Sequence, residues 1–401
     1  MSADVYLTIQ PSEMKLAHIW RTAIQTAVAG KDKRTALFTW PRIKINNKYL
    51  ISGTKRMNQI KRNLIFRVDA IWGIPLWPDI TTLAAQAASG QKILAVAETA
   101  YRHFYAGRNC IIISASDPDS YEVGVINVLA SAQITLVGNL TSTWPAGSFV
   151  LPLYDCRIAS AQKVSGANER RQVWYIEAME AFEDARSFSY SLPSSGAAQY
   201  ESIDLLTLPM DKPIEYGFAR PYDMQQFLGL GYAYSRFATG DNNLSFKSAA
   251  TLSSRPQIRE LLDFFDSQMG RHGDLWVPSW SRDIVPTVAI GASDTEITID
   301  PIDYDNTYLA NDVIGRHVFV YFPDKSYVCR KIIDATAETI ELDSALGTAV
   351  SASQLKRLMI SFLNYVRFDL DELEVSYPYN HGARGKAELN FKALLGEEIS
   401  L

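Results

Sequence analysis

Apolar and polar positions alternate with a period of two along much of the chain, the spacing that turns every second side chain of a β-strand into a core. Glu296, Ile297, Thr298, Ile299 and then Val318, Phe319, Val320, Tyr321 are short examples. Runs of this kind, separated by Gly, Pro, Asp and Asn at hairpin distances, predict strands over Lys92–Glu98, Asn109–Ser116, Tyr121–Leu129, Ile134–Leu140 and Ser148–Tyr154. A second series covers Thr295–Asp300, His317–Phe322, Tyr327–Ile333 and Thr339–Leu342. One stretch follows the helical period instead. Ile258, Leu261, Leu262, Phe265 and Met269 recur before Gly270, and Ser254 with Gln257 has the spacing of a capping box. Met57, Ile60, Leu64 and Val68 repeat that pattern more weakly. Between residues 19 and 45, Leu16, Ile19, Trp20 and Ala27 allow a helix. Thr22, Thr26 and Val28, then Leu37, Phe38 and Thr39, favour a long hairpin turning at Ala29–Arg34.

The two strand series belong to an internal repeat. Trp72, Pro75, Trp77 and Asp79 are echoed by Trp276, Pro278, Trp280 and Asp283, with the first Trp and the Asp at an offset of 204. Tyr121, Ile126, Ile134, Leu136 and Leu140 meet Tyr327, Ile332, Ile340, Leu342 and Leu346, all at 206. Several identities at one offset on strand positions mark a duplicated unit. The expected fold is mainly β with a minor α component: two tandem β-sandwich-like units, each with one helix and an inserted small β-barrel. The first unit takes residues 1–71 and 159–188 around a barrel at 72–158. A Ser-rich linker spans 189–211. The second unit takes 212–284 and 358–401 around a barrel at 285–357. Gln172–Ala178 and Glu388–Leu394 read as the strands that close each host unit.

Composition narrows the class. The 401 residues are 47% hydrophobic and 21% charged, which excludes a disordered, collagen-like or coiled-coil chain. Twenty Tyr, 17 Phe and 8 Trp suit pleated sheets and contact surfaces. A net charge of −5 gives no whole-chain attraction to nucleic acid or to an anionic membrane. Val123–Tyr154 carries no charge, but Asn127, Gln133, Asn139, Pro145 and Pro152 break it into strands and turns rather than a membrane helix. Met1–Gln10 lacks the basic segment and apolar core of a signal peptide. Cys110, Cys156 and Cys329, odd in number and far apart, are expected to be reduced thiols packed as small hydrophobes.

Charge is unevenly placed. From Lys31 to Arg67 eleven Lys or Arg face one acidic residue, Asp32, whereas Val285 to Val350 holds eleven Asp or Glu against four basic residues. Complementary blocks of this size steer assembly, which makes Arg34, Arg42, Lys55, Arg56, Lys61 and Arg62 candidate electrostatic-interface residues. Solvated faces are the simpler reading. A nucleic acid passing through a lumen is a further one, with no recognition motif beside it.

No catalytic, cofactor or metal motif is found. His18, His103, His272, His317 and His381 lack ligand spacing, and no G-x-S-x-G turn is present. Gly382–Lys386 lacks the length and hydroxyl of a phosphate loop. Asp303 and Asp305 begin like a calcium loop, but Tyr308 and Ile314 stand where Gly and Glu are needed. Asp369, Asp371, Glu372 and Glu374 are dense enough for paired-carboxylate sugar hydrolysis, although an exposed acidic strand explains them more simply. Trp72, Trp77, Trp276 and Trp280 have rings suited to stacking on sugars. Their recurrence, with Pro75 and Pro278 holding the backbone extended, favours packing where the chain enters each insert.

Trp20, Thr22, Gly30, Arg34, Pro41 and Arg42, followed by the Trp-x-x-Pro-x-Trp-x-Asp element at Trp72–Asp79, resemble a pattern of tail-tip proteins of long-tailed bacteriophages. The second unit is more loosely similar to the distal tail protein family. That resemblance implies a virion structural protein of the tail tip or baseplate, assembled in the host cytoplasm, that catalyses nothing and needs no cofactor. It implies a homo-oligomeric ring, trimeric or hexameric, joining the tail tube protein to the baseplate hub or fibres. The alternative is a carbohydrate-binding or carbohydrate-active tail protein acting on host surface polysaccharide.

Overall fold

The structure, a computed structural model, describes the chain apart from residues 1–3, 27–31, 54–56, 59, 63–66, 68–69, 159–162, 169–170, 182–191, 212–213, 220–221, 226–233, 238–242, 310–314, 379–381 and 395–401. The expectations placed on Gly30, Lys55, Arg56, Leu64, Val68, Ile314, His381 and the start of the linker lie outside the described residues. The protein is mainly β, with 49% of residues in strands and 9% helical. Host strands are numbered here in chain order. The first unit has β1 (Glu13–Ile19), a hairpin of β2 (Thr22–Thr26) and β3 (Asp32–Ala36), β4 (Arg42–Ser52), β5 (Trp72–Pro75), β6 (Phe149–Ile158), β7 (Lys163–Asn168) and β8 (Arg171–Glu180). The second has β9 (Glu215–Ala219), a hairpin of β10 (Tyr222–Gln225) and β11 (Tyr234–Phe237), β12 (Asn243–Leu252), the helix Arg255–Ser267, β13 (Leu275–Pro278), β14 (Met359–Phe368), β15 (Glu372–Tyr377) and β16 (Gly385–Ala393).

The pairings of the two units coincide one for one. In the first unit β8 pairs with β7, β4 and β6, β4 pairs with β1, and β6 pairs with β5. In the second β16 pairs with β15, β12 and β14, β12 pairs with β9, and β14 pairs with β13. Register then fixes which residues correspond. Pro75 lies opposite Leu153 and Pro278 opposite Leu363, so β6 maps onto β14. Through Ile158–Ala178 and Phe368–Phe391, β8 maps onto β16. Through Ala178–Ile45 and Phe391–Phe246, β4 maps onto β12. The same frame corrects the sequence alignment by one residue. Trp72 sits opposite Cys156 and Leu275 opposite Val366, so Leu275 is the counterpart of Trp72, and Trp276 is that of Gly73. Pro75 with Pro278, and Trp77 with Trp280, remain true counterparts, whereas Asp79 and Asp283 are one position out of step.

The inserts also share one topology. Ile93–Ala95, Gln133–Leu136, Tyr121–Ala130, Asn109–Ile113 and β6 are successive neighbours in the first. Glu296–Thr298, Thr339–Leu342, Tyr327–Ala335, His317–Tyr321 and β14 follow the same order in the second. A register shift falls between Ile126 and Val128 in one and between Ile332 and Asp334 in the other, both at the offset of 206. Neither insert is a closed barrel, contrary to the sequence-based expectation. Each sheet curls until its ends meet at an isolated bridge, Leu83–Val96 or Pro286–Ile299. The seam segment is a two-residue strand in one case and contains a proline without an N–H in the other, so no ladder is completed.

Four buried clusters occur among the described residues, the smallest formed by Leu205, Trp276, Phe319 and Leu363. One fills the first insert around Ile112, Ile126, Ile134 and Trp144, and another the second around Ile297, Ile332, Ile340 and Leu342. The third is shared by both host units and includes Trp20, Tyr49, Trp174, Phe246, Phe265 and Phe391. Helix residues Ile258, Leu261, Leu262 and Phe265 join it, as their spacing predicts. The helix start differs from expectation: the Ser254 side chain makes no capping bond, and Gln257 instead accepts from the Ser253 N–H and hydroxyl. Cys110 and Cys156 are fully buried free thiols, and Cys329 is partly buried.

Because each insert has its own apolar cluster, Ile126→Ala and Ile332→Ala are each expected to cost about 2–5 kcal/mol locally. Hydrogen exchange should show faster opening confined to the insert that carries the substitution.

Candidate functional site

The site that the fold assembles is the junction between the two units. β1 of the first unit pairs antiparallel with β15 of the second, from Met14 opposite Tyr377 to Ile19 opposite Glu372. The result is one continuous eight-stranded antiparallel sheet, β7–β8–β4–β1–β15–β16–β12–β9. On its buried face Met14, Leu16, Leu373 and Val375 pack into the shared core. On the other face Lys15 Nζ meets Glu374 Oε1 at 2.6 Å, Lys44 meets Glu372 at 3.1 Å, and Asn46 donates to Glu374 at 3.2 Å. The carboxylates that resembled a glycosidase pair are thus cross-strand partners. Asp371 accepts from the Thr22 N–H and hydroxyl and from the Arg271 N–H.

The β2–β3 hairpin spans the junction as an arm. Arg34 reaches the Asp274 carboxylate and the His272 carbonyl. Asp32, the single acid of the basic segment, has a side chain only 1% exposed and holds Arg367 at 3.1 Å and Lys392 at 3.4 Å. Arg367 is itself buried, and its partly lowered pKa follows from burial opposed by Asp32.

Behind the sheet lies a buried polar chain that sequence spacing gave no means of finding. Asp266 on the helix accepts from Trp20 Nε1 at 2.9 Å and sits 2.8 Å from His18 Nδ1. His18 Nε2 faces His103 Nε2 at 3.2 Å, and His103 Nδ1 lies 2.6 Å from Asp79. Each ring thus turns its Nδ1 to a carboxylate and its Nε2 to the other ring. Arg255, 3.7 Å from Asp79, adds a positive charge beside that carboxylate. Burial lowers the His103 pKa more than Asp79 raises it. Burial raises Asp79, but His103 and Arg255 outweigh it and hold the carboxyl below its ordinary range.

The neighbouring void is about 10 Å³, room for a single water, and is lined by Asp79, His103, Arg255 and Tyr377 among others. Gly382 closes its rim: a Cβ there would stand 1.9 Å from the Pro78 carbonyl oxygen. No group of three or more His, Cys, Asp or Glu able to hold a metal occurs among the described residues. Four elements distant in sequence meet in this chain, and its four side chains are buried.

The remaining predicted residues are placed as follows. Trp72, Trp77 and Trp276 are buried, and Trp280 packs on Phe319 and Tyr321 at 5.5 and 5.9 Å, so these rings serve packing. Pro75 and Pro278 end the strands that lead into the inserts. Asp283 accepts from the Ser279 and Ser281 hydroxyls and the Phe362 N–H. Arg42 lies over the Phe38 ring at 4.3 Å, while Lys61 and Arg62 are exposed. Much of the basic run is neutralised within the chain, since Lys48 pairs with Glu13 and Arg67 with Asp4 as well. Among the described residues, none of these ion pairs reaches the acidic second insert.

At the base of that insert, His317 is wedged against Trp276, with Tyr200 Oη in hydrogen-bond contact with its Nδ1 at 3.0 Å. Burial, then Lys331 and Arg316, push its pKa down to about 4. The unfolded chain therefore binds a proton that the folded chain refuses, and stability falls on acidification from about pH 6.5 to about pH 4, by roughly 3 kcal/mol. Denaturant midpoints across that range should show the loss, and His317→Asn, which keeps a hydrogen-bonding group for Tyr200, should flatten it. Asp266→Asn should cost about 1–3 kcal/mol by removing a buried carboxylate that Trp20 and His18 share, read from the same unfolding midpoints at pH 7. No protein-family model and no curated protein matches this chain.

Proposed function

We propose that the protein is a structural component of a phage tail tip or baseplate, whose copies form a ring between tail tube and hub or fibres. The observation that carries this reading is the head-to-tail junction. The strand at one edge of the first unit, β1, pairs with the strand at the opposite edge of the second, β15, which corresponds to β7 of the first. Such a contact is heterologous: it uses different surfaces on equivalent units, and repeating it generates a ring when the rotation closes. One chain supplies two steps of that rotation, so a trimer offers six pseudo-equivalent units and a hexamer twelve.

Other features agree with an architectural part. The histidine–aspartate chain is buried and ties unit to unit, and the recurrent Trp rings pack inside rather than lining a groove. The resemblance of Trp20 to Arg42 and of Trp72 to Asp79 to tail-tip proteins names the kind of assembly.

Electron microscopy of the purified protein, alone and with tail tube protein as a template, tests the reading. Closed particles with rotational symmetry and a central lumen are expected. Single globular particles under both conditions, together with cleavage of host surface polysaccharide, would replace it with the saccharide-directed alternative.

A further inference from the structure

Among the described residues the eight-stranded sheet ends in two unpaired edges, β7 in the first unit and β9 in the second. These are the counterparts of β15 and β1, the two strands that pair inside the chain. β1 and β9 correspond through their partners: Lys15 lies opposite Asn46 and Glu215 opposite Lys247, equivalent positions of β4 and β12. β7 and β15 correspond through β8 and β16, with Val164 opposite Trp174 and Val375 opposite Ala387. Val164 and Ser165 thereby stand where Val375 and Ser376 stand, identical residues at both positions.

We propose that β7 of one chain pairs antiparallel with β9 of a second copy, in the register that joins β1 to β15, and that Lys163 forms an ion pair with Glu215 of the second copy. Copying the internal register places Gly166 opposite Ile214, Ser165 opposite Glu215, Val164 opposite Tyr216 and Lys163 opposite Gly217.

Three observations carry it. The first is charge: the internal ion pair is Lys15 with Glu374, and the residues at the matching positions are Glu215 and Lys163, the same pair with its signs exchanged. Neither Lys163 nor Glu215 has an ion-pair partner among the described residues. The second is apolar exposure. Leu16 and Val375 are 1% and 0% exposed at the junction, while their counterparts Tyr216 and Val164 are 42% and 43% exposed. His18, 2% exposed, corresponds to Phe218, 75% exposed. The third is the arm, since the β10–β11 hairpin follows β9 as β2–β3 follows β1, and Tyr222 opposite Phe237 matches Thr22 opposite Ala36. An unpaired edge flanked by exposed aromatics invites strand addition, and here its complement lies on the far edge of the same chain.

The inference deepens the ring-forming reading above and rests on its premise that copies of the chain associate. Sedimentation velocity of the full chain at about 100 µM fills an interface of micromolar Kd and reports its mass. Wild type is expected to form oligomers. Lys163→Glu and Glu215→Lys should each weaken association by at least about tenfold through like-charge contact, and the double exchange should restore it. Both positions are exposed, and unchanged circular dichroism and thermal midpoints will show that the variants fold. A wild-type monomer overturns this interface, whereas the ring reading stands or falls by the particles formed with tail tube protein. An oligomer insensitive to both single reversals overturns this interface alone, and a double exchange that fails to restore association overturns the register.

Discussion

An edge strand presents a row of N–H and C=O groups that must find partners or be covered. In this protein that requirement is met at the centre of the molecule by joining β1 to β15, and the rest of the architecture is arranged around the join. The two host units share a single core because their sheets are one sheet. The β2–β3 arm lies across the seam and is fastened by Asp32 to Arg367. Side chains that look like isolated features in the sequence are the two halves of contacts across it.

The buried Asp266–His18–His103–Asp79 chain has a different effect from the ladder beside it. Main-chain bonds between strands tolerate a shift of two residues, because every second residue faces the same way. A run of four ionisable side chains with fixed donors and acceptors does not, since any slip strands a charge in the interior. The chain contributes to alignment of unit, insert and helix rather than to net stability.

Much of the fold is legible in the sequence. Period-two runs locate the strands of both inserts, Ile258 to Met269 locates the helix, and the matches from Tyr121 to Leu140 at a constant offset reveal the duplication. The failures have physical causes. Trp276 and Trp72 are identical residues, but strand register follows the prolines and sets Leu275 opposite the position that matches Trp72's partner. Barrel closure depends on backbone donors in segments two or three residues long, which composition does not encode. The site was hardest to read. His18 and Asp266 are 248 residues apart, and only folding reveals that Glu372 and Glu374 face lysines rather than a substrate.

The exchange of signs between the Lys15–Glu374 pair and the Lys163–Glu215 positions governs the order of units as well as their attachment. A first unit following another first unit would set Lys15 against Lys163, and a second following a second would set Glu215 against Glu374. Both arrangements repel, although the backbone alone would accept them. With β1 and β15 already joined inside each chain, only β7 and β9 remain free, so that any closed assembly built on these edges counts an even number of units.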